Sequence, residues 1–343
     1  MTAPLRVVQW TTGNVGERSV RAITQRADLE LVGVYAWSPD KVGRDIGGVA
    51  ATNDVDALLA LKPDCIVYNP MWSNTDELVR ILEAGVNVVS TAAFITGGKS
   101  PGDRDRIAKA CDAGGASMFG TGISPGFVEL LAIASAGVCD RIDKVTVFEA
   151  ADTTLYDSPA TEIRAGFAQP IDSPDLAAMA AEGTGVFGEA VALLGDALGV
   201  TFDEIVCDTR FSQTTEDVVM ESWTIKAGHV AGMVVRWLGR VGGRDVVELN
   251  MKWRKGWTLE PDLPIEELGH KIVIEGQPTI TTRVEFMPPP DFAATSFADF
   301  MQLGHIMTAV PAINAIASVV AAPPGIVTYN DIQLPLPRGW VAT

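Results

Sequence analysis

The stretch Val7-Val8-Gln9-Trp10-Thr11-Thr12-Gly13-Asn14-Val15-Gly16-Glu17-Arg18 reads as a buried strand, a glycine turn and the first turn of a helix. Amides at a helix N-terminus point outward and the helix dipole favours negative charge there, which is the chemistry that holds a pyrophosphate. Gly13 lets the main chain come close to a ligand and Gly16 lets the helix pack on the strand. Thr11 stands where the first glycine of G-x-G-x-x-G usually lies. A glycine turn after a buried strand also serves as a plain βα connection. The dinucleotide reading gains from residues 29–36, a second apolar, β-branched run at the distance that completes a βαβ unit.

This assigns cofactor contacts to Thr11, Thr12, Gly13, Asn14, Val15 and Gly16. An NAD-selective site carries Asp or Glu at the end of the second strand to bind the ribose 2′-hydroxyl. Here Trp37, Ser38 and Pro39 follow that strand. Ser38 can hydrogen-bond a 2′-phosphate, Lys41 and Arg44 can supply charge, and Trp37 offers a ring face. NADP(H) is favoured. NAD(H) stays open, because Asp40 can serve a 2′-hydroxyl.

The chain has 343 residues, 47% of them hydrophobic and 20% charged, which suits about two domains of roughly 150 residues. A net charge of −17 repels nucleic acid and anionic membrane alike, so neither is expected as a partner. The sequence reading finds neither a membrane span nor a signal peptide and expects a soluble cytoplasmic protein. Cys65, Cys111, Cys139 and Cys207 lie far apart without C-x-x-C spacing, so buried free thiols are expected and no metal site.

Strands over 64–69, 86–91 and 116–120 alternate with helical spacing over 76–84 and 103–113, the doubly wound α/β pattern, with ligands expected at the strands' carboxyl ends. That adds Asn69, Pro70, Ala92, Ala93, Pro125 and Gly126 as cofactor contacts. Beyond a helix over 127–136, strands dominate, at 145–149, 221–226, 234–241, 246–253, 272–275 and 279–286, with turns at 242–243 and 276–278. The expected organisation is a Rossmann doubly wound domain over 1–125 and an α+β substrate and dimerisation domain with a mixed sheet over 126–300. A helix and tail over 301–343 returns to the first domain, with Pro311 interrupting the helix. Gly122, Pro125 and Gly126 mark a hinge between the domains.

The segment 149–161, E-A-A-D-T-T-L-Y-D-S-P-A-T, resembles the signature of dihydrodipicolinate reductase, E-x-H-H-x-x-K-x-D-A-P-S-G-T. Glu149, Asp157 and Pro159 match it, whereas Ala151, Asp152 and Leu155 replace its two histidines and its lysine. The general acid and carboxylate clamp of that reductase are therefore gone. A fuller resemblance is to the family of 2,4-diaminopentanoate dehydrogenase and NAD(P)H-dependent amine dehydrogenase. It is carried by T-G-N-V-G at 12–16, N-V-V-S-T at 87–91, G-x-S-P-G-F at 122–127, Y-D-S-P at 156–159, and the segments 312–316 and 324–326. The resemblance implies a dimeric two-domain oxidoreductase that moves a hydride between a nicotinamide and a carbon bearing an amine or oxygen. It also implies that amine-active members carry glutamate directly after N-V-V-S-T. Here that place reads Ala92-Ala93-Phe94-Ile95, so amination is in question and the pocket mouth is apolar.

Proton transfer falls to Tyr156, His305 or Glu149. Trp72, Phe94, Phe127, Phe167 and Met307 are assigned to an apolar substrate pocket, although such residues in any chain are mostly core. The favoured function is an NAD(P)-dependent oxidoreductase acting on a small, mainly apolar amine, imine or carbonyl. The alternatives are a carbonyl reductase without amine chemistry and a non-catalytic NADP-binding sensor.

Overall fold

The computed structural model describes residues 3–154, 156–293 and 297–341. They form two compact units, Met1–Phe127 with Ala298–Thr343, and Val128–Phe297.

The first unit begins with Leu5–Trp10 (β1), whose Val7, Val8 and Trp10 are wholly buried, as a parallel strand covered on both faces requires. Asn14–Thr24 (α1) follows and buries Val20, Ala22 and Ile23 on one face. Leu29–Tyr35 (β2) completes the βαβ unit. Val55–Ala60 (α2) is too short to show as a periodic pattern; Asp54 caps it by accepting from the Ala57 amide at 3.0 Å. Then come Cys65–Tyr68 (β3), Thr75–Glu83 (α3), Asn87–Ser90 (β4), Pro101–Gly114 (α4) and Ser117–Gly120 (β5).

The second unit runs through Val128–Ala136 (α5), Arg141–Asp152 (β6), Leu176–Gly183 (α6), Gly185–Ala197 (α7), Glu204–Thr214 (β7), Val230–Val241 (β8), Arg244–Arg254 (β9), Gly269–Gln277 (β10) and Ile280–Val284 (β11). Its sheet has the order β7-β8-β9-β6-β10-β11, with Leu259–Glu260 on the outer edge of β7. Only β9 and β6 pair in parallel, so the sheet is mixed. Gly242 and Gly243 join β8 to β9 at φ 57° and 73°, positive values that a tight two-residue hairpin needs. α5 and α7 cover one face. Gly188 lets α7 approach Trp237, where a Cβ would stand 2.7 Å from the indole.

Several sequence expectations change here. The strand expected over 221–226 shrinks to Thr224–Ile225, because the amide and hydroxyl of Ser222 are given to Asp157. Gly276 and Gln277 belong to β10 rather than to a turn, and Gly276 is needed because a Cβ there would lie 2.1 Å from the Arg141 carbonyl. The long strand β7 is absent from the sequence expectation, since Asp208 and Arg210 on its open face break the apolar run. Cys139 and Cys207 are half-buried, unlike Cys65 and Cys111.

The chain returns to the first unit with Phe297–Val320 (α8) and Gly325–Val327 (β12). The six-stranded parallel sheet has the order β12-β5-β4-β3-β1-β2. α8 continues through Pro311 instead of being interrupted. The proline costs one backbone bond, which burial of Ala312, Ile313, Ala315, Ile316 and Val319 at 0% exposure offsets. Over Asp299–Val320 this helix is long and apolar enough to cross a membrane by length and composition, contrary to the sequence expectation. Its packing on Val7, Val67, Val89 and Phe119 accounts for that composition.

Candidate functional site

The glycine turn has an unusual build. Thr11 takes φ 75°, the left-handed conformation that the missing glycine would occupy without strain. Two features hold it there. Buried Gln9 donates from Nε2 to the Thr11 carbonyl at 3.0 Å, and Gly16 sits so close that a Cβ would meet that carbonyl at 2.5 Å. Gly13 ends the turn as the residue preceding α1, at φ −77°, and a Cβ on it would meet nothing within 4 Å. No side chain caps α1 at Gly13, whereas Asn74 caps α3 by accepting from the amides of Asp76 and Glu77. The first-turn amides of Asn14, Val15 and Gly16 thus sit behind an open approach, beside the turn formed by Thr11 and Thr12. These residues fit a pyrophosphate.

Beyond β2, Trp37 is 78% exposed. The Ser38 hydroxyl donates to Asp40, which also pairs with Arg44 at 3.5 Å. That hydrogen bond, foremost, holds the Asp40 carboxyl below its usual range. Lys41 donates to the Thr12 carbonyl at 2.7 Å, bringing a cation beside the glycine turn.

Asn69, expected as a cofactor contact, has its side chain engaged within the first unit. Its Oδ1 accepts from Gln9 Nε2 at 2.8 Å and from Ser19 at 3.2 Å, and its Nδ2 donates to Thr91 at 2.8 Å. It therefore ties β1, α1 and the ends of β3 and β4 together. Ala92 is buried, its carbonyl accepting from Ser73 at 2.9 Å, and Ala93 turns the chain at φ 33°. Pro70 follows Asn69 and is half-buried. Gly126, at φ 141°, lies so near Thr121 that a Cβ would meet its Oγ1 at 2.6 Å, with Pro125 beside it. This close approach is what requires the glycine of S-P-G-F.

The proposed pocket residues part company. Trp72 is 43% exposed, and Phe127 and Met307 are half-buried. Phe94 is core of the first unit, and Phe167, 2% exposed, is core of the second. Both are therefore set apart from an open pocket by their burial. His305 lies on α8 in the first unit. Burial, assisted by Arg18 and opposed by Glu17, pulls its pKa down and favours the neutral ring.

In the second unit, Glu149 lies on the helix-covered face of β6. It accepts from Trp253 Nε1 at 2.8 Å and stands 3.3 Å from His270 Nε2, while Trp253 packs on Phe187 of α7. Asp157, the other acid matching the reductase signature, receives the Ser222 amide at 2.8 Å and its hydroxyl at 2.5 Å. Leu155 lies outside the described residues. Tyr156 is 36% exposed, yet its carbonyl and that of Thr153 accept from the buried Lys255, which also pairs with Glu162 at 2.8 Å. Burial raises Glu162 to about 7 against the opposing pull of Lys255, and burial lowers Lys255. Three acceptors surround its Nζ. The opposite face of the sheet lines a groove of ≈ 1390 Å³ whose walls include Phe148, Arg210, Arg236, Glu248, Lys252 and Lys271. Burial would raise Glu248, but Arg236 and Lys144 outweigh it and hold the group at about 2.

The family of the 2,4-diaminopentanoate dehydrogenase C-terminal domain matches residues 127–343. An amine dehydrogenase of Streptomyces virginiae is 31% identical over 97% of this chain and 96% of its own. The chain belongs to the 2,4-diaminopentanoate dehydrogenase family. It is thus an oxidoreductase, with a Rossmann-type unit and a mixed-sheet unit. A 2,4-diaminopentanoate dehydrogenase of Acetoanaerobium sticklandii is 25% identical over 77% of this chain and 70% of that protein. The solved structure of an amine dehydrogenase from Mycobacterium smegmatis shares the fold, with a TM-score of 0.78 over 98% of both chains at 22% identity.

Gln9, Lys255 and Glu162 were missed in the sequence. Gln9 had a signal, a polar residue between the wholly buried Val8 and Trp10. Lys255 and Glu162, 93 positions apart, had none that one sequence carries.

Proposed function

We propose that this oxidoreductase moves a hydride between NADP(H) and a carbon bearing nitrogen or oxygen in a small, mainly apolar amine, imine or carbonyl compound. The carrying observation is the uncapped N-terminus of α1 behind an unobstructed Gly13, a cradle for a pyrophosphate. When bound, the nicotinamide supplies or accepts the hydride. The chain's own residues orient, exclude water and handle protons. Asn14, Val15 and Gly16 offer their amides to the dinucleotide, with Thr11 and Thr12 shaping the turn. Lys41 and Arg44, with the open face of Trp37, favour a 2′-phosphate over a bare ribose hydroxyl; NAD(H) is the second cofactor.

Tyr156 is the proposed proton carrier. Its phenol is partly exposed while its main chain is fixed, which is what a positioned acid–base group needs. Glu149 orients His270 and is the second candidate for proton traffic. Trp72, Phe127 and Met307 are the proposed apolar walls for substrate.

The nucleotide and the apolar substrate walls are assigned to the unit built on β1–β5, and the proton carrier Tyr156 and the partner to the unit built on β6–β11. The partner is a second copy, docked on the groove face of the β6–β11 sheet. Light scattering should then give twice the 36.4 kDa chain mass. Four free cysteines suit the reducing cytoplasm. NADPH oxidation with small ketones and aldehydes, with and without ammonium, tests the chemistry. Ammonium dependence means imine reduction; independence means carbonyl reduction.

A further inference from the structure

Lysine is almost never fully buried unless its charge is matched. The Lys255 side chain is 0% exposed, and each of its three N–H donors has an oxygen: Glu162 Oε1 at 2.8 Å, the Tyr156 carbonyl at 2.6 Å and the Thr153 carbonyl. Around the ammonium stand the rings of Trp223 at 5.7 Å and of Tyr156 and Phe167 at 5.9 Å. The flanking residues add to the grip. Thr153 donates its amide to the Arg254 carbonyl at 2.8 Å, and Thr154 Oγ1 accepts the Gly256 amide at 2.8 Å. The far side of the loop is held where Asp157 takes Ser222. Lys255 itself is fixed by its amide on the Ala231 carbonyl.

We propose that Lys255 is a positioning residue for the reaction, gripping the main chain of Thr153 and Tyr156 from beneath so that the Tyr156 phenol is presented in one orientation. The inference rests on the reading of Tyr156 as proton carrier. Stability alone does not call for such a group, because a buried ion pair is commonly replaced by apolar residues of similar volume without loss. Two of its three bonds go to the carbonyls of the very loop that carries the phenol. A group aimed at main-chain oxygens fixes the backbone directly, and a displacement of about 1 Å at a reacting group costs on the order of 10²-fold in rate. Glu162 supplies the third oxygen that holds the Lys255 head group in place.

The test is a double-mutant cycle with Lys255→Met and Tyr156→Phe, reading kcat and KM for NADPH oxidation with cyclohexanone and ammonium chloride. Amide exchange of residues 153–158 and NADPH affinity are read on the same proteins. Expected for Lys255→Met are faster exchange in 153–158, unchanged NADPH affinity, and kcat lower by about 10²-fold with little change in KM. In the Tyr156→Phe background the same change should cost almost nothing further. An equal loss of kcat in both backgrounds, or unaltered exchange in the loop, overturns the proposal. Wild-type kcat in Tyr156→Phe alone removes Tyr156 as proton carrier, and with it the catalytic part of the inference, while the exchange result still reports whether Lys255 anchors the loop. Should cyclohexanone not turn over, unaltered loop exchange remains the overturning result. Should Lys255→Met fail to fold, Lys255→Arg carries the test, since a planar guanidinium keeps the charge but cannot set three donors on these three oxygens.

Discussion

Replacing Gly13 with valine should abolish nucleotide binding and leave the fold standing. The backbone there has φ −77° and ψ −174°, values open to any residue, and a Cβ meets nothing within 4 Å. Valine is a poor residue to precede a helix, so the folded state loses about 1 kcal/mol, which lowers Tm by about 2–4 °C. The ligand side loses far more. Each amide donating to a charged phosphate is worth about 1.5–3 kcal/mol, and displacing a phosphate from two of them costs about 3–6 kcal/mol. At 1.4 kcal/mol per decade that is about 10²- to 10⁴-fold in Kd. Isothermal calorimetry with NADPH and NADH, beside a melting curve, separates the two effects. Gly16→Ala is the contrast, since its Cβ would strike the Thr11 carbonyl at 2.5 Å and should destabilise the protein itself. A folded Gly13→Val protein with undiminished NADPH affinity would refute the reasoning.

Ser38→Asp with Lys41→Ala should weaken NADPH more than NADH, by removing a cation and adding repulsion; equal changes in the two Kd values would show that this loop does not read a 2′-phosphate. Glu162 has a folded pKa of about 7 against 4.5 unfolded, so its stabilising contribution is complete below 4.5 and is lost as pH rises toward 7. Glu162→Gln should flatten that part of the Tm–pH curve, and a curve of unchanged slope would contradict the assignment. His305 titrates below 6.5 in the fold, so its contribution is present above pH 6.5 and is lost as pH falls beneath it. His305→Gln should lessen the loss of Tm on the acid side and leave the pH profile of turnover unmoved; a profile that loses a limb would restore His305 as an acid.

The nucleotide unit was largely legible in the sequence. Parallel strands buried on both faces read as continuous apolar runs, and the turn at residues 11–16 carries its own chemistry. What the sequence hid depends on tertiary distance. Thr11 in place of glycine is intelligible only once Gln9 is seen holding its carbonyl. Asn69 lies at a strand's carboxyl end, where ligands are expected, yet its amide is spent on Gln9, Ser19 and Thr91. The mixed sheet was harder, because Asp208 and Arg210 of β7 break the apolar pattern while pairing or lining the groove on the open face. Phe94 and Phe167 illustrate the limit for aromatic residues, whose type does not tell core from pocket. Lys255 and Glu162 meet only after the chain has folded.

The most direct measurement is NADPH consumption by the purified protein, shown first to bind NADPH, against small ketones and aldehydes with and without ammonium. The account predicts loss of NADPH absorbance with at least one carbonyl compound, reduced about 10²- to 10⁴-fold in Tyr156→Phe. Binding without consumption under both conditions would contradict it.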